Sequence, residues 1–441
     1  MNKEQNILLA FYGDDLTGST DALEFICRAG AKAILFLDPP TTEQLNRYSG
    51  LQAYGIAGLT RSLSPEMIKQ QLMPAFQAMK ENGARHVHYK ICSTFDSSPE
   101  IGSIGKAIDC GAEIFQNDFV PVLGGMPVLG RYCVFGNLFA RMGTGSNGKI
   151  YRLDRHPSMS RHPVTPAKES DLRIHFGNQT KKKIGLIDVL QIENDIERWN
   201  DVIQNTDEVV LLDALTDEHL FKIGKWLDAQ CKNGESLFSV GSSGIEMALG
   251  TYWNSKKILN KTGSWPDAKN AKPLLVVSGS CSPVTSTQIE YARSNGFEEI
   301  VLDATKICED AMIEQDIVDN LNQLLKNGSD VIVHTGEKKT ANLSSEVLGN
   351  VLGTIAKEAV IKTDIKRIVI AGGDTSSYAA KAMEIEALEM ITPLVPGAPL
   401  CKVYSQNRSL NGIEINLKGG QVGSEDYFMI LKEGKQFRDK N

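Results

Sequence analysis

Nowhere does this 441-residue chain approach the ~18 consecutive apolar residues that a membrane helix needs. Its first apolar stretch, Ile7–Tyr12, is too short for a signal-peptide core and runs straight into two aspartates. Basic charge is not in excess: 47 Lys and Arg against 54 Asp and Glu leave a net charge of −7. That balance lacks the basic footprint of a nucleic-acid binder and the polybasic tail of a membrane-surface protein. The eight cysteines are scattered without a single Cys-x-x-Cys pair, which argues against a disulfide framework and a clustered zinc site. The absences leave a soluble chain, expected in the cytoplasm, whose thiols are reduced.

What is present suits a large folded body. Hydrophobic residues make up 41% of the chain and 39 glycines add to them, enough for a sizeable core. The length is two to three times the ~150-residue domain prior, so two domains are expected. Ile7–Tyr12, Ala33–Leu37, Val87–Ile91, Lys183–Leu190 and Val209–Leu212 read as strands, and Ser19–Arg28, Pro65–Glu81 and Asp217–Gln230 as helices. Residues 251–272 turn polar, as a linker would. A second alternation then runs through Leu274–Val277, Thr285–Arg293, Ile300–Leu302, Ala311–Leu325, Val331–His334, Ser344–Ala359, Ile368–Ala371 and Tyr378–Ile385. The expected class is therefore α/β, with two domains (1–250 and 273–441), each a mostly parallel sheet with helices on both faces. Pro121–Pro166, rich in Gly, Pro and Arg, shows little periodicity; it is expected to be structureless and to cover or line a site.

Three motifs are decoys. Gly143-Thr-Gly-Ser-Asn-Gly148 fits the dinucleotide pattern, but Pro157 stands where the following helix should run. Tyr12-Gly-Asp-Asp15 resembles a polymerase aspartate pair on a chain without a basic channel. His86 and His88 share one face of a strand, without a third ligand nearby in the sequence.

Four other segments put small residues and polar side chains at strand ends, where open parallel sheets bind ligands. After the first strand come Asp14 and Asp15, able to hold hydroxyls, hold a metal or act as a base, while Thr17 or Ser19 can cap the next helix. After the Val87–Ile91 strand, Lys90 precedes a hydroxyl run that includes Ser93 and Thr94, suited to an anionic, polyhydroxy ligand. In the second domain, Ser278-Gly-Ser280-Cys-Ser282 and Gly372-Gly373-Asp374-Thr375-Ser376 each read as strand, tight turn, helix start. Such turns let backbone approach phosphate oxygens. Gly397, Gly419 and Gly420 add two further turns.

Together these segments resemble the four-carbon acid sugar kinase family over essentially the whole chain. The resemblance implies an N-terminal domain that binds a short sugar acid, a C-terminal domain that binds ATP, and a reaction in the cleft between. Asp14 and Asp15, Arg61 of the Thr60-Arg61 pair, Lys90 and Ser93 match the acid-binding positions, and Thr94 is a further expected substrate contact. Ser280, Ser282, Gly372, Gly373, Asp374, Thr375, Ser376, Gly397, Gly419 and Gly420 fall on the nucleotide side. Asp15 and Asp374 are the expected catalytic carboxylates, with Asp14 not ranked against Asp15. Mg²⁺ is expected to travel with ATP, Asp374 being the one carboxylate assigned to organise it. The family pattern Lys-x-Asp-Ser-Thr-Leu-Arg-Gly is altered here, with Cys92 for the Asp and Phe95-Asp96 for Leu-Arg. That change, with Arg152, Arg155, His156, Arg161 and His162 in the insertion, points to an acid larger or more oxidised than threonate or erythronate; Arg152 and His156 are its expected extra contacts. A carboxylate ligase and a non-catalytic sensor are the rival readings. The expected partners are the acid and ATP, without nucleic acid or membrane, and with a homodimer left open.

Overall fold

The structure, a computed structural model, describes residues 6–142, 148–162, 164–232, 234–310, 314–336 and 343–435, apart from the side chains of Asp310 and Asp374. The chain begins with β1 (Leu9–Gly13), β2 (Ala33–Phe36), β3 (Ala53–Ala57), β4 (His86–Lys90) and β5 (Val120–Leu123). Three short strands follow, β6 (Arg131–Val134), β7 (Asn137–Arg141) and β8 (Ile150–Arg152), then β9 (Ile184–Ile187), β10 (Val209–Leu212) and β11 (Leu237–Gly241). The last group is β12 (Leu274–Ser278), β13 (Glu298–Val301), β14 (Val331–His334), β15 (Arg367–Ala371), β16 (Ala387–Val395), β17 (Ala398–Tyr404) and β18 (Glu414–Lys418).

Packing divides the chain into two units. The first comprises Met1–Asp14, Phe25–Ala33 and Pro39–Thr262; the second comprises Asp15–Glu24, Ile34–Asp38 and Gly263–Asn441. An unbroken first domain over 1–250 does not describe this division, because two N-terminal segments cluster with the second unit.

In the first unit the sheet order is β3-β1-β4-β11-β5-β10-β9, and every neighbouring pair is parallel. Strand β4 shows why helices cover both faces. Tyr89 points to one face and meets Phe76 of the helix Pro65–Glu81, with ring centroids 6.2 Å apart. His88 points to the other face and its Nδ1 lies 2.6 Å from Glu246 of the helix Gly244–Ser255. The helix Pro65–Glu81 occupies the span its sequence predicts. Ser64 caps it, Pro65 opens it, and Ile68, Leu72, Ala75, Phe76 and Met79 form a buried stripe. The expected Lys183–Leu190 strand stops at Ile187, since Asp188 caps a new helix, Val189–Glu193, through the Leu190 and Gln191 amides.

Pro121–Pro166 is not structureless. It opens within the parallel strand β5 and then forms a three-stranded antiparallel sheet, β6-β7-β8. Phe135 (φ +50°) and Gly136 (φ +78°) make the two-residue turn between β6 and β7, with Val134 paired to Asn137. Positive φ at both central positions matches the twist of a hairpin. Phenylalanine is a poor cue for that turn, which is why the sequence hides it.

The second unit has the order β13-β14-β12-β15-β18-β17-β16, with β2 pairing antiparallel to β16 through Leu35 and Phe36. The pairs from β13 to β18 are parallel and those from β18 to β2 antiparallel. Leu274, Val276, Val369 and Ala371 pack with Ile289, Tyr427 and Leu431 on one face. The alternate residues Leu275, Val277, Ile368 and Ile370 are also fully buried, as expected for a sheet covered on both sides. The expected helix Tyr378–Ile385 in fact begins at Gly373, so the glycine turn leads directly into it.

Candidate active site

In the first unit, parallel pairing sets Ala57, Gly13, Lys90, Gly241 and Leu123 in one row at the carboxyl ends of five adjacent strands. The next residues of those strands are Gly58, Asp14, Ile91, Ser242 and Gly124. Strand β1 has β3 on one side and β4 on the other, so the order reverses there. Open parallel sheets bind ligands at such a reversal.

Asp14 is buried at this point and Arg61 grips it with both prongs, Nε 3.1 Å from Oδ2 and Nη2 2.9 Å from Oδ1. Arg61 is held at that height by its backbone. Its amide donates to the Asp14 carbonyl at 3.1 Å, and a Cβ on Gly102 (φ +63°) would stand 2.4 Å from the Arg61 carbonyl oxygen. Lys90 is buried beside them and donates to the Ile91 carbonyl at 3.0 Å. Thr94 is buried and its hydroxyl lies 3.0 Å from Cys92 Sγ, while Ser93 is half-buried. Burial, aided by the negative Asp96, pushes the Cys92 thiol up to about 11, so it sits in the site as a neutral group. Phe95 follows at φ +55°, buried against Phe176.

The insertion contributes one residue that sequence reading passed over. Arg131 is buried and donates from Nη1 to the carbonyls of Leu129 and Arg141, and its charge is felt by Cys92 and Asp96. Arg152 instead forks Asp154 within the insertion, at 2.7 and 2.6 Å, on the exposed side. His156 is buried and accepts the Ser158 and Met159 amides on Nδ1, and burial together with Arg131 holds its imidazole below the usual range. These contacts engage both side chains inside the insertion rather than with Asp14, Arg61 or Lys90. Asp213, after β10, anchors the hairpin: its carboxylate accepts the amides of Phe135 (2.5 Å), Gly136 (2.9 Å) and Val189 (3.0 Å).

His86 and His88 do share a face, yet each has its own carboxylate, Asp228 at 3.3 Å and Glu246 at 2.6 Å. Among the described residues there is no cluster of three metal-ligating side chains. Residues 143–147 of the Gly143–Gly148 motif lie outside the described residues. A surface groove of about 750 Å³, lined by Lys106, Asp109, Gln179 and Lys182 among others, contains none of the expected site residues.

The second unit repeats the architecture with different chemistry. Ser278, Ala371 and Lys418 stand in one row on β12, β15 and β18, and the residue after each is glycine: Gly279, Gly372 and Gly419. The ladder continues into them, with Gly279 N donating to Ala371 O at 3.0 Å and Gly372 N to Lys418 O at 2.9 Å. Strand β12 has β14 on one side and β15 on the other, again a reversal of order. Gly372 (φ +141°) takes a backbone conformation that side chains rarely adopt. A Cβ on Gly420 would stand 3.1 Å from Ser280 Oγ. Thr375, over Gly279, would be struck at 2.5 Å by a Cβ there.

A hydroxyl chain closes the turn. Ser280 Oγ donates to Thr285 Oγ1 at 3.0 Å, Thr285 to the Gly420 carbonyl at 3.2 Å, and Ser282 caps the helix Pro283–Ser294 through the Val284 amide. Ser376 bonds the Gly372 carbonyl. Asp15 caps the helix Leu16–Arg28, taking the Gly18 amide at 2.7 Å and the Thr17 hydroxyl at 2.8 Å. Leu16 N donates to Ser377 Oγ at 3.4 Å, which ties this helix start to the helix Gly373–Ala382. The turn thus gathers Ser280, Ser282, Gly372, Thr375 and Gly420. Gly397 (φ +77°) turns the β16–β17 hairpin instead, and its amide meets Glu24 at 2.9 Å. Gly373 has open space where a Cβ would stand; the side chain of Asp374 lies outside the described residues. Three side-by-side glycines and two helix starts form a cradle that fits a phosphate chain.

Besides Arg131, two further segments carry residues that the sequence alone does not mark. Lys418, buried at the end of β18, directly precedes the Gly419-Gly420 turn. Ser242 and Ser243, both buried, follow β11 in Gly241-Ser-Ser-Gly244, the same strand–turn–helix grammar that marks the other segments.

Comparison with known proteins matches two family models along the chain. Residues 9–249 match the family model described as sugar-binding N-terminal domain, and 275–428 the one described as nucleotide-binding C-terminal domain. A Paraburkholderia graminis protein named 3-oxo-isoapionate kinase is 39% identical over 97% of this chain and 95% of its own length. A Pseudomonas fluorescens protein named 3-oxo-tetronate kinase is 26% identical over 96% of this chain and 95% of its own. A solved Salmonella typhimurium structure, described as a putative tRNA synthase, superposes with a TM-score of 0.77 at 23% identity, covering 98% of this chain and all of its own. At that identity it speaks to fold alone.

Proposed function

This chain belongs to the four-carbon sugar acid kinase family, and from that premise we propose that it phosphorylates a hydroxyl of a 3-oxo sugar acid. ATP-dependent phosphorylation of a sugar acid is the activity its kinase relatives support. The observation that carries the phosphoryl-transfer half is the glycine row Gly279, Gly372, Gly419 with Gly420 packed on Ser280. The acid is read from two supports. Relatives are named for 3-oxo-isoapionate and 3-oxo-tetronate, and Cys92 and Phe95-Asp96 alter the family's pattern beside Lys90.

Phosphoryl transfer needs positioning and charge neutralisation more than covalent chemistry. The Asp14–Arg61 fork holds a carboxylate and a guanidinium in one plane, and in this reading both meet the acid: Arg61 its carboxylate, Asp14 a hydroxyl. Lys90 adds a second positive charge, and Ser93 and Thr94 bind hydroxyls. Asp15, oriented by Gly18 and Thr17, is the proposed acceptor of the attacking hydroxyl's proton. On the nucleotide side the Ser280, Ser282 and Thr375 hydroxyls hold the phosphates, and the glycines let the chain of phosphates approach the backbone. Magnesium carried in with the nucleotide would neutralise phosphate charge, and Asp374, second residue of its helix, is the carboxylate proposed for it. Arg152 and His156 drop out of the proposed acid contacts, being engaged within the insertion. A cytoplasmic setting, where ATP is supplied, completes the reading.

The test is an ATP-consumption screen over four- and five-carbon sugar acids and their 2-oxo and 3-oxo forms. Saturable, acid-dependent ADP release with a phosphorylated acid as product is expected. ADP release that requires an added amine would point to a ligase, and binding without turnover to a sensor.

A further inference from the structure

Lys418 ends β18 and is fully buried. Its Nζ donates to Thr285 Oγ1 at 3.0 Å and to the Gly419 carbonyl at 3.0 Å, and lies 5.6 Å from the centre of the Tyr427 ring. Both acceptors are neutral, and Lys418 forms no ion pair among the described residues. A buried ammonium without a counter-charge costs several kcal/mol, so a purely structural lysine here would be an expensive choice. Its surroundings explain the placement. Thr285, which receives the lysine, is bonded to Ser280 and to the Gly420 carbonyl, and the Lys418 carbonyl accepts the Gly372 amide. The lysine therefore contacts the Gly419 turn directly and the Ser280 turn through Thr285, at a strand end in the row of Ser278 and Ala371.

We propose that Lys418 is the cation that answers the phosphate chain of the bound nucleotide, taking one proton from solvent as the nucleotide seats and pairing with a phosphate oxygen. This rests on the nucleotide-site reading and adds to it the residue that supplies the missing positive charge. Burial draws the ammonium down to about 7 from 10.5, so before the nucleotide binds it is partly neutral at physiological pH. The groups facing it are the Thr285 hydroxyl from the helix Pro283–Ser294 and Tyr427 from the helix Tyr427–Glu433. The Tyr427 phenol donates to Asn416 at 2.8 Å and is pushed further above its ordinary range by burial, so it does not titrate in the same window. Asp374, two residues past Gly372, is the other ionisable group near this turn in sequence.

The experiment is calorimetric titration of the full chain with ATP, ADP and adenosine at pH 8, in two buffers of different ionisation enthalpy. The wild-type chain is expected to take up close to one proton per ATP. Lys418→Met should bind ATP and ADP about 10- to 100-fold more weakly, bind adenosine unchanged, and take up no proton. Lys418→Arg keeps the charge but cannot titrate at this pH. It should lose the proton uptake while retaining most of the affinity, and it serves if the Met variant fails to fold. ATP affinity unchanged in Lys418→Met, or adenosine weakened equally, would overturn the role of the lysine alone. A wild-type chain that binds no nucleotide would overturn the nucleotide-site reading, and the inference with it.

Discussion

Arg61 and Asp14, 47 residues apart in sequence, are locked by two parallel hydrogen bonds of 3.1 and 2.9 Å at the reversal point of the first unit's sheet. The carboxylate is almost fully buried and the guanidinium about a quarter exposed. The arginine therefore neutralises the aspartate on one side while keeping part of its surface exposed, the part proposed to meet the acid. Fork geometry fixes the plane of both groups, which a point charge cannot do.

Arg61→Lys should accordingly behave as a severe change. It keeps the charge but loses the fork, and kcat/KM for the acid should fall about 10- to 100-fold while the Kd for ATP stays put. Steady-state kinetics with calorimetry of ATP binding separate the two. Wild-type kcat/KM in the lysine variant would show that the fork has no part in acid binding.

Asp374→Asn should lower kcat by about 10²–10³ and leave acid binding nearly intact, the cost of removing a preorganised charge at the phosphates. Turnover near wild type over a Mg²⁺ titration would remove Asp374 from the proposed machinery.

The acid itself is checked by comparing kcat/KM across D-threonate, L-threonate, D-erythronate and their 3-oxo counterparts, with branched five-carbon acids alongside. A 3-oxo acid should win by at least about tenfold, equivalent to ~1.4 kcal/mol of transition-state binding. Arg152→Ala should change that ranking little, since its partner is Asp154. Threonate or erythronate coming out best would discard the 3-oxo proposal.

Asp213→Ala should destabilise the fold by about 2–4 kcal/mol, because three amides at Phe135, Gly136 and Val189 lose their common acceptor. Urea unfolding would measure it. A change under 1 kcal/mol would mean that the hairpin does not depend on this carboxylate.

Lys418 also makes a prediction about stability and pH. Its folded pKa is depressed to about 7 against an ordinary 10.5, so between those values the unfolded chain binds more protons. Stability should therefore rise with pH across that window, by up to about 1.4 kcal/mol per unit from this residue. Lys418→Met should flatten that slope relative to wild type in urea titrations run from pH 7 to 10. An unchanged slope would show that the lysine is not desolvated as described.

Local rules made much of this protein legible. The Pro65–Glu81 helix is announced by Ser64, Pro65 and an apolar stripe, all within one stretch of chain. The Val331–His334 strand is four buried apolar-to-aromatic residues in a row. The glycine turns at Gly372 and Gly419 announce themselves because glycine after an apolar strand marks a tight turn, Gly372 at a φ of +141° that side chains rarely adopt. The hairpin in 121–166 was illegible for the opposite reason, with Phe135 at a positive φ where Gly or Asn would have signalled the turn.

The sequence by itself thus determined the α/β class and the strand–helix alternation, because propensity, capping and periodicity act over a few residues; the pairing of an acid-binding half with a nucleotide-binding half came from family resemblance. Only tertiary structure decided the partners. Sheet order placed Asp14 against Arg61 and set Gly279, Gly372 and Gly419 side by side across gaps of 93 and 47 residues. It also assigned Asp15–Glu24 and Ile34–Asp38 to the second unit and buried Lys418 beside Thr285. Those outcomes follow from which strands neighbour one another, a property of the whole sheet's hydrogen bonding and burial that no local stretch of sequence encodes.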